Sequence, residues 1–329
     1  MRLRNALLAL SFLIFKASFG QQYRSDQFLA HTFSIVARDS ATGEMGVAVQ
    51  SHWFSVGTSV SWAEAGVGVV ATQSFTNKSF GPRGLDLLSR GLSAQQALDV
   101  LLADDPGRDV RQVAILDTSG RVATHTGKGC IQYASHIQGS QFSVQSNMML
   151  TDRVCQAMAE AYARSAGKPL AERLLASLEA AQGAGGDIRG MQSAALVIVP
   201  GRSQGKPWEE RLVDLRVDDS RNPIAELKRL YLVHIAYQHM NAGDLAVEKN
   251  DMPLAMQEYN AAMKLMPGNL EMQFWTGITL ANNHQVDKAL PLLRKVFSAE
   301  PNWKELTRRL PAVQLLTVPE ADLRKILSL

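Results

Sequence analysis

The stretch from Thr32 to Ser51 constrains the fold most, because it has the pattern of a β-hairpin. Apolar and polar residues alternate from Phe33 to Arg38, which is the two-residue period of a strand. A polar turn ending at Gly43 follows, and glycine accepts the left-handed backbone that a short hairpin loop needs. Residues 45–50 return as the second strand. Its small Gly46 would let another backbone or a ligand approach one face closely.

Further strand and helix patterns follow in separate groups. Ser93, with Gln96 three residues later, forms a capping-box pattern and predicts a helix start. Because strands and helices segregate along the chain, we predict an α+β fold of antiparallel sheets with helices outside them, not a doubly wound parallel sheet. Strands are predicted at 60–63, 67–73, 111–117, 121–125, 142–145, 192–199 and 211–217, and helices at 83–89, from 93, at 151–166 and at 169–182.

From Asn222 onward the whole sequence has helical periodicity and contains an internal repeat. Gly243 and Gly277, Ala255 and Ala289, and Pro267 and Pro301 are each 34 positions apart. This is the tetratricopeptide period, which predicts repeats at about 236–269 and 270–303. The helix from Asn222 and the segments 303–310 and 319–329 are expected to cap the stack. A chance pair of helical hairpins is the alternative.

The N-terminus has the pattern of a signal peptide over residues 1–20. Arg2 and Arg4 precede an apolar run from Ala6 to Phe15, and small residues end the segment before Gln21. The apolar run is short for a membrane span. We therefore predict a secreted or periplasmic protein, the alternative being an uncleaved anchor. Residues 21–31 are then left as a leader, which we expect to be mobile.

Charge and cysteine content exclude several classes of protein. Residues 1–20 hold three of the 34 basic residues and none of the 31 acidic ones, so the rest of the chain has 31 of each. This balance gives no support for nucleic-acid binding. Cys130 and Cys155 could form one disulfide or stay as two buried thiols. No metal-ligand spacing is found, and the glycines of 183–190 lack the context of a nucleotide loop, so no cofactor is expected.

Thr32 is the residue with the most chemical potential. A threonine hydroxyl needs a base within hydrogen-bond reach to act as a nucleophile. If the chain were cut before Thr32, its own α-amino group would supply that base, with a reference pKa of about 7.7–8.0. An ordinary strand threonine is the alternative interpretation.

Several segments resemble the domain of unknown function 1028 family. They are Thr32 to Asp39, Gly46 to Phe54, Ala71 to Phe75, Gly81 to Gly84 and Gly185 to Ala195, and the resemblance covers about residues 32–230. That family resembles the N-terminal nucleophile hydrolases, which implies an αββα four-layer sandwich. In that superfamily the nucleophile is the first residue of the hairpin, which here matches Thr32. A second cut, between His31 and Thr32, would be needed to expose it.

The domain plan follows from these patterns: signal peptide 1–20, leader 21–31, sandwich 32–221 and helical repeat domain 222–329. Other polar residues are candidates for the same site as Thr32. As additional catalytic residues we name His52, which could instead be structural, and Asn147, which could donate to an oxyanion. As substrate-binding residues we name Gln73, Asn77, Arg83, Asp187 and Arg189. Asn77 could instead form a turn, Arg83 could be a surface residue, and Asp187 with Arg189 could be an internal ion pair.

Two functions are compatible with the sequence. The first is an exported amide hydrolase that uses an N-terminal threonine on a small amino-acid-like or peptide substrate. The second is a non-catalytic sandwich that binds a ligand, with the tetratricopeptide pair presenting a groove for a protein partner. Assembly into a homo-oligomer through the outer helices is a further expectation, and no membrane association is expected once the signal is removed.

Overall fold

A computed structural model describes residues 28–329, with side chains from His31 onward. The predicted signal peptide and most of the leader lie outside the described residues. The strands are β1 (Phe28–Ala30), β2 (Thr32–Arg38), β3 (Met45–Ser51), β4 (Ser61–Glu64), β5 (Gly68–Thr76), β6 (Arg111–Asp117), β7 (Val122–Thr126), β8 (Ser135–Gly139), β9 (Phe142–Ser146), β10 (Ser193–Val199) and β11 (Val213–Val217).

The helices are interspersed with the strands as far as Val217, and every later element is helical. They are α1 (Gly57–Val60), α2 (Phe80–Ser89), α3 (Ala94–Ala103), α4 (Val154–Arg164), α5 (Leu170–Gly183), α6 (Pro223–Glu248), α7 (Met252–Leu265), α8 (Leu270–Asn282), α9 (Val286–Ala299), α10 (Asn302–Arg309) and α11 (Glu320–Leu327). Short 3-10 turns lie at Arg108–Val110 and Leu310–Val313. Along residues 28–329, no helix is both long enough and apolar enough to cross a membrane.

The strands form two sheets in which every pair is antiparallel. The five-stranded sheet has the order β1-β5-β6-β7, with β4 also paired to β5. The six-stranded sheet has the order β11-β10-β3-β2-β9-β8. The predicted antiparallel arrangement is therefore confirmed, and the short strand β8 is an element that the sequence pattern missed.

Three apolar cores define four layers. Between the sheets, Val36 and Val49 of the six-stranded sheet pack with Val69 and Leu116 of the five-stranded one. Helices α2 and α3 cover the outer face of the five-stranded sheet, and α4 and α5 cover that of the six-stranded sheet. The predicted αββα sandwich is thus confirmed. In this arrangement each sheet buries one face against the other sheet and the opposite face against helices.

The hairpin of β2 and β3 forms as its sequence predicts. Asp39 closes the turn by accepting backbone hydrogen bonds from Ala41 and Thr42 through its carboxylate. Gly43 has a φ of +79°, the left-handed backbone expected there. The close approach expected at Gly46 is made by a helix, because a Cβ there would lie 2.7 Å from the side chain of Leu174 in α5.

The end of the leader is ordered, which corrects the expectation of a mobile segment. Phe28–Ala30 forms β1 and pairs with Ser74–Thr76 of β5 in the five-stranded sheet. Two residues later, Thr32 begins β2 in the six-stranded sheet. The chain therefore crosses from one sheet to the other at His31, which is 1% exposed.

The capping box expected from the sequence is present at the start of α3. Ser93 and Gln96 make the reciprocal hydrogen bonds of a capping box there, as predicted.

Cys130 and Cys155 are both free thiols. Burial raises the pKa of the Cys155 thiol, which lies 3.2 Å from the hydroxyl of Ser146.

The helical region repeats its packing at the predicted period. Gly243 lies against the ring of Tyr259, and Gly277, 34 positions later, lies against the side chain of Leu293, also 34 positions later. A Cβ would come within 2.4 Å of the Tyr259 ring and within 2.9 Å of Leu293. Helix α6 is continuous from Pro223 to Glu248, so a single helix joins the sandwich to these hairpins.

Candidate active site

The carbonyl oxygen of His31 is held by two side-chain donors. The Ser51 hydroxyl donates to it at 2.6 Å, and the guanidinium Nη2 of Arg189 donates to it at 2.9 Å. Ser51 is placed there by the hairpin register, which pairs it with Thr32. Both donors withdraw electron density from the carbonyl of the peptide bond that precedes Thr32, which makes its carbon more electrophilic.

Asp187 fixes the guanidinium of Arg189. Its carboxylate accepts Nε at 3.0 Å and Nη2 at 2.8 Å, and the Asp187 side chain is 0% exposed. The same carboxylate accepts the backbone N–H of His52 at 3.1 Å. A two-point contact sets both the position and the plane of the guanidinium. Asp187 and Arg189 are thus an internal ion pair, as one of the two interpretations proposed, and the pair is aimed at His31.

The His31 side chain fills a small polar niche. Its Nδ1 lies 2.8 Å from Oδ1 of Asn147, and its ring meets the ring of Phe75 edge-on at 5.4 Å. The amide nitrogen of Asn147 donates to Oε1 of Gln112 at 2.9 Å, which leaves Oδ1 as the acceptor. Nδ1 of His31 therefore carries the proton. The pKa of His31 is lowered, mainly because burial disfavours the charged ring.

Amide side chains from both sheets converge on the backbone of Thr32. The Thr32 carbonyl accepts the backbone N–H of Asn147 at 3.1 Å and Nε2 of Gln73 at 3.2 Å. Gln73 also donates to Oε1 of Gln112 at 2.7 Å. Since Gln73 and Gln112 belong to the five-stranded sheet and Thr32 to the six-stranded one, this network fixes Thr32 between the two layers.

Thr32 is completely buried and begins β2. Two residues further along β2, the Ser34 hydroxyl donates to Oε1 of Gln73 in β5 at 2.6 Å. The face of β2 that carries Ser34 therefore faces the five-stranded sheet. Side chains alternate along a strand, which puts the Thr32 hydroxyl on this same face. Its hydroxyl oxygen is linked to the carbonyl carbon of His31 only through Cβ, Cα and N of Thr32, so rotation about the Thr32 side chain can bring the two atoms together.

The structure gathers some of the sequence candidates and leaves others apart. Gln73, Asn147 and Arg189 contact the backbone of residues 31 and 32 directly, and Asp187 does so through Arg189. His52 joins the cluster through its backbone N–H.

Two candidates, Asn77 and Arg83, lie outside this cluster, just before helix α2 and on its exposed side. Asn77 accepts the backbone N–H and hydroxyl of Ser79 in a turn that leads into α2. Arg83 lies on the exposed side of α2, where it forms an ion pair with Asp104 of the neighbouring loop at 3.2 Å. Both side chains are therefore used on the outer layer and do not contact Thr32 or His31.

Ser51 and Gln112 are site residues that sequence reasoning missed. Ser51 could have been found by counting back from the turn, because the register that pairs Arg38 with Met45 also pairs Thr32 with Ser51. Gln112 gave no such signal, since its place depends on the pairing of β6 with β5. Within residues 31–329, no group of three or more His, Cys, Asp or Glu side chains is placed to hold a metal ion.

Fold and site together define a class: an antiparallel αββα protein with a buried threonine at the first position of its central hairpin. The chain belongs to the DUF1028 family, a family of unknown function, whose model matches residues 32–227. The match begins at Thr32 itself. A crystal structure of a DUF1028 protein from Silicibacter pomeroyi is similar, with 31% sequence identity and a TM-score of 0.55. The similarity covers 61% of this chain and 88% of that one. None of the curated proteins matches the chain.

Proposed function

We propose that this chain is an exported amide hydrolase whose nucleophile is Thr32, exposed by a cut between His31 and Thr32. One observation carries the proposal: Ser51 and Arg189 both donate to the carbonyl oxygen of His31, in the peptide bond that must break. Two side chains from different parts of the chain, one of them a partly exposed guanidinium, converge on this one oxygen. Donors placed at this oxygen are what the cleavage of an amide requires, because negative charge develops there.

The cut is an intramolecular transfer followed by hydrolysis. The Thr32 hydroxyl oxygen attacks the His31 carbonyl carbon, and negative charge on the His31 oxygen is held by Ser51 and Arg189. The bond from that carbon to the Thr32 nitrogen then breaks. The hydroxyl proton ends on the nitrogen, and the leader becomes an ester on the Thr32 oxygen. Water hydrolyses the ester, which releases the leader with a His31 carboxylate and leaves Thr32 with a free amine and a free hydroxyl.

The same atoms then serve for turnover. The new amine of Thr32 has a reference pKa of about 7.7–8.0, so it can accept the hydroxyl proton near neutral pH. A substrate carbonyl would take the place of the His31 carbonyl, with its oxygen on Ser51 and Arg189. In this proposal the side chain of Asn147, expected from sequence as an oxyanion donor, positions the Thr32 backbone and the His31 ring through the contacts it makes with them.

We also propose that the helical region is a tetratricopeptide-type module that binds a protein partner. The repeated packing of Gly243 on Tyr259 and of Gly277 on Leu293 supports this part of the proposal. Stacked helical hairpins of this period present a groove to partner proteins. This role does not depend on catalysis, so it also belongs to the alternative in which the sandwich only binds a ligand.

The mass of the purified, exported protein tests the enzymatic proposal. Export in a secreting host with residues 1–20 present should give a chain that begins at Thr32 and is absent from the cytoplasmic fraction. A chain that begins at Gln21 or at pyroglutamate and stays so on long incubation contradicts the nucleophile and favours the ligand-binding alternative. The matched control is Thr32→Ser, which retains a hydroxyl and should also be cut.

A further inference from the structure

The leader occupies one half of a strand edge beside Thr32. Strand β5 has β6 along one edge over Gly68–Ser74. Its other edge is shared, because β4 pairs with Gly68–Ala71 and β1 pairs with Ser74–Thr76. Ser74 is paired on both sides, which shows that β1 lies on the edge opposite β6. Release of the leader would therefore leave Ser74–Thr76 with an unpaired edge, next to the new N-terminus.

The residue before the cut also has its own niche. His31 is 1% exposed and is bounded by Phe75 and by Oδ1 of Asn147. Phe75 belongs to the same segment of β5 that pairs with β1. The backbone edge and the side-chain niche thus form one continuous site that leads to the carbonyl held by Ser51 and Arg189.

We infer that the acyl half of the substrate is an extended peptide that binds as a strand on Ser74–Thr76, with a hydrogen-bond-donating side chain in the His31 niche. The inference rests on the proposed function, because it takes the leader as the first acyl group that Thr32 attacks. Extended peptides that add to a free sheet edge gain affinity from main-chain hydrogen bonds and specificity from side-chain pockets.

The niche sets which side chain is accepted at the attacked residue. The amide nitrogen of Asn147 donates to Gln112, so the oxygen Oδ1 is the end of the amide that faces the niche. An amide oxygen can only accept a hydrogen bond. A histidine supplies a donor and a flat ring for the edge of Phe75. An alanine would leave a buried carbonyl oxygen without its partner, which is costly. A substrate with only one amino-acid residue would reach the niche but could not pair with β5.

The test uses protein that has been cut, as confirmed by a mass that begins at Thr32, and freed of leader by gel filtration. Three fluorogenic coumarin amides are compared: the acetylated peptide with the sequence of residues 28–31, the same peptide ending in alanine, and acetyl-histidine alone. We expect kcat/KM for the full peptide to exceed each of the others by about tenfold or more, as the loss of one buried hydrogen bond implies.

Each outcome has a distinct meaning. Equal turnover of acetyl-histidine and the four-residue peptide overturns the strand site, and equal turnover of the alanine and histidine peptides overturns the niche. Cut protein that hydrolyses none of the three, while acting on some other amide, overturns the inference and leaves the proposed function standing. A chain that is never cut is the separate result that removes the proposed function itself.

Discussion

The hydroxyl of Ser51 and the carbonyl oxygen of His31 are 2.6 Å apart, although the two residues are separated by a complete hairpin. The contact exists because β3 returns alongside β2 and its last residue, Ser51, pairs with Thr32, the residue after His31. A backbone carbonyl just outside a strand could equally have been hydrated or paired with a main-chain N–H. Here it accepts hydrogen bonds from the side chains of Ser51 and Arg189, which polarise the carbonyl before Thr32.

Replacement of this hydroxyl should slow the cut selectively. Ser51→Ala removes one of two donors to the His31 oxygen, and the loss of one such donor typically costs about 10²–10³ in rate. The rate is read from the disappearance of the uncut mass after synthesis. Ser61→Ala is the matched control, since the buried Ser61 hydroxyl donates to the Gly57 carbonyl at 2.9 Å, outside the site. Equal rates in the two variants would contradict the assignment of Ser51.

Thr32 itself should be needed for the cut but not for folding. Thr32→Ala is expected to keep the leader attached indefinitely, because the nucleophilic oxygen is missing, whereas Thr32→Ser should be processed. Intact mass gives the state of the bond, and urea unfolding gives the stability. If Thr32→Ala is still shortened to residue 32, another protease makes the cut and the intramolecular route is wrong.

Arg189 should not be replaceable by lysine. A lysine ammonium is a single point donor and cannot hold the flat two-point contact with Asp187 while also reaching His31. We expect Arg189→Lys to slow the cut by about tenfold or more, with Asp187→Asn acting in the same direction through the position of Arg189. Arg164→Lys, which alters an exposed pair with Glu160, serves as the control and should process at the parent rate.

Stability of the uncut protein should fall in mild acid because of His31. Burial lowers the pKa of His31 in the folded chain, whereas an unfolded histidine titrates near about 6.5. Below that pH the unfolded chain takes up a proton that the folded chain does not, so the free energy of unfolding decreases as the pH falls. Urea unfolding of Thr32→Ala between pH 7 and pH 5 measures this loss.

The contribution of His31 is isolated by a second substitution. His136 and His234 also have a pKa lowered by burial, and they are present in both proteins, so their effects cancel. Adding His31→Gln to Thr32→Ala should make the pH dependence shallower. An unchanged slope would mean that His31 does not titrate differently in the folded and unfolded chains.

The repeated glycines of the helical region should be structurally necessary. Gly243→Val places atoms within the ring of Tyr259, and overpacking of this kind costs about 1–3 kcal/mol. Gly268→Val is the control because a Cβ at Gly268 meets nothing within 4 Å. Thermal and urea unfolding of the two variants measure the difference. Equal losses would show that the close helix contact is not required.

The local parts of the fold were predictable because their signals are local. The hairpin turn at Asp39–Gly43 and the capping box of Ser93 each depend on residues within a few positions of one another. The 34-residue period was likewise visible in the positions of small residues. Strand β1 was missed because three residues carry no measurable period. Its partner Ser74–Thr76 lies more than forty positions away, so only the assembled sheet defines it.

Part of the candidate cluster was named from the sequence. Gln73 lies within β5, Asn147 follows β9, and Asp187 and Arg189 lie in the loop before β10. These segments meet at the backbone of residues 31 and 32. Arg83 and Asn77 were grouped with them by closeness in sequence, but α2 carries Arg83 to the outer layer, where Asp104 engages it. The residue type of Asn147 does not distinguish a donor to an oxyanion from a side chain that positions the Thr32 backbone, because the same amide group can serve either role.

Helix α6 sets how the two halves of the molecule can communicate. Its first turns place Leu227 and Tyr231 in the core of the sandwich, and its later turns place Ala236 and Met240 in the core of the helical region. At 26 residues it is about 39 Å long without an interruption. The sandwich and the helical region are therefore joined by a continuous helix and not by a flexible linker. A protein partner of the kind proposed for the repeats would be held at a fixed distance and orientation from Thr32.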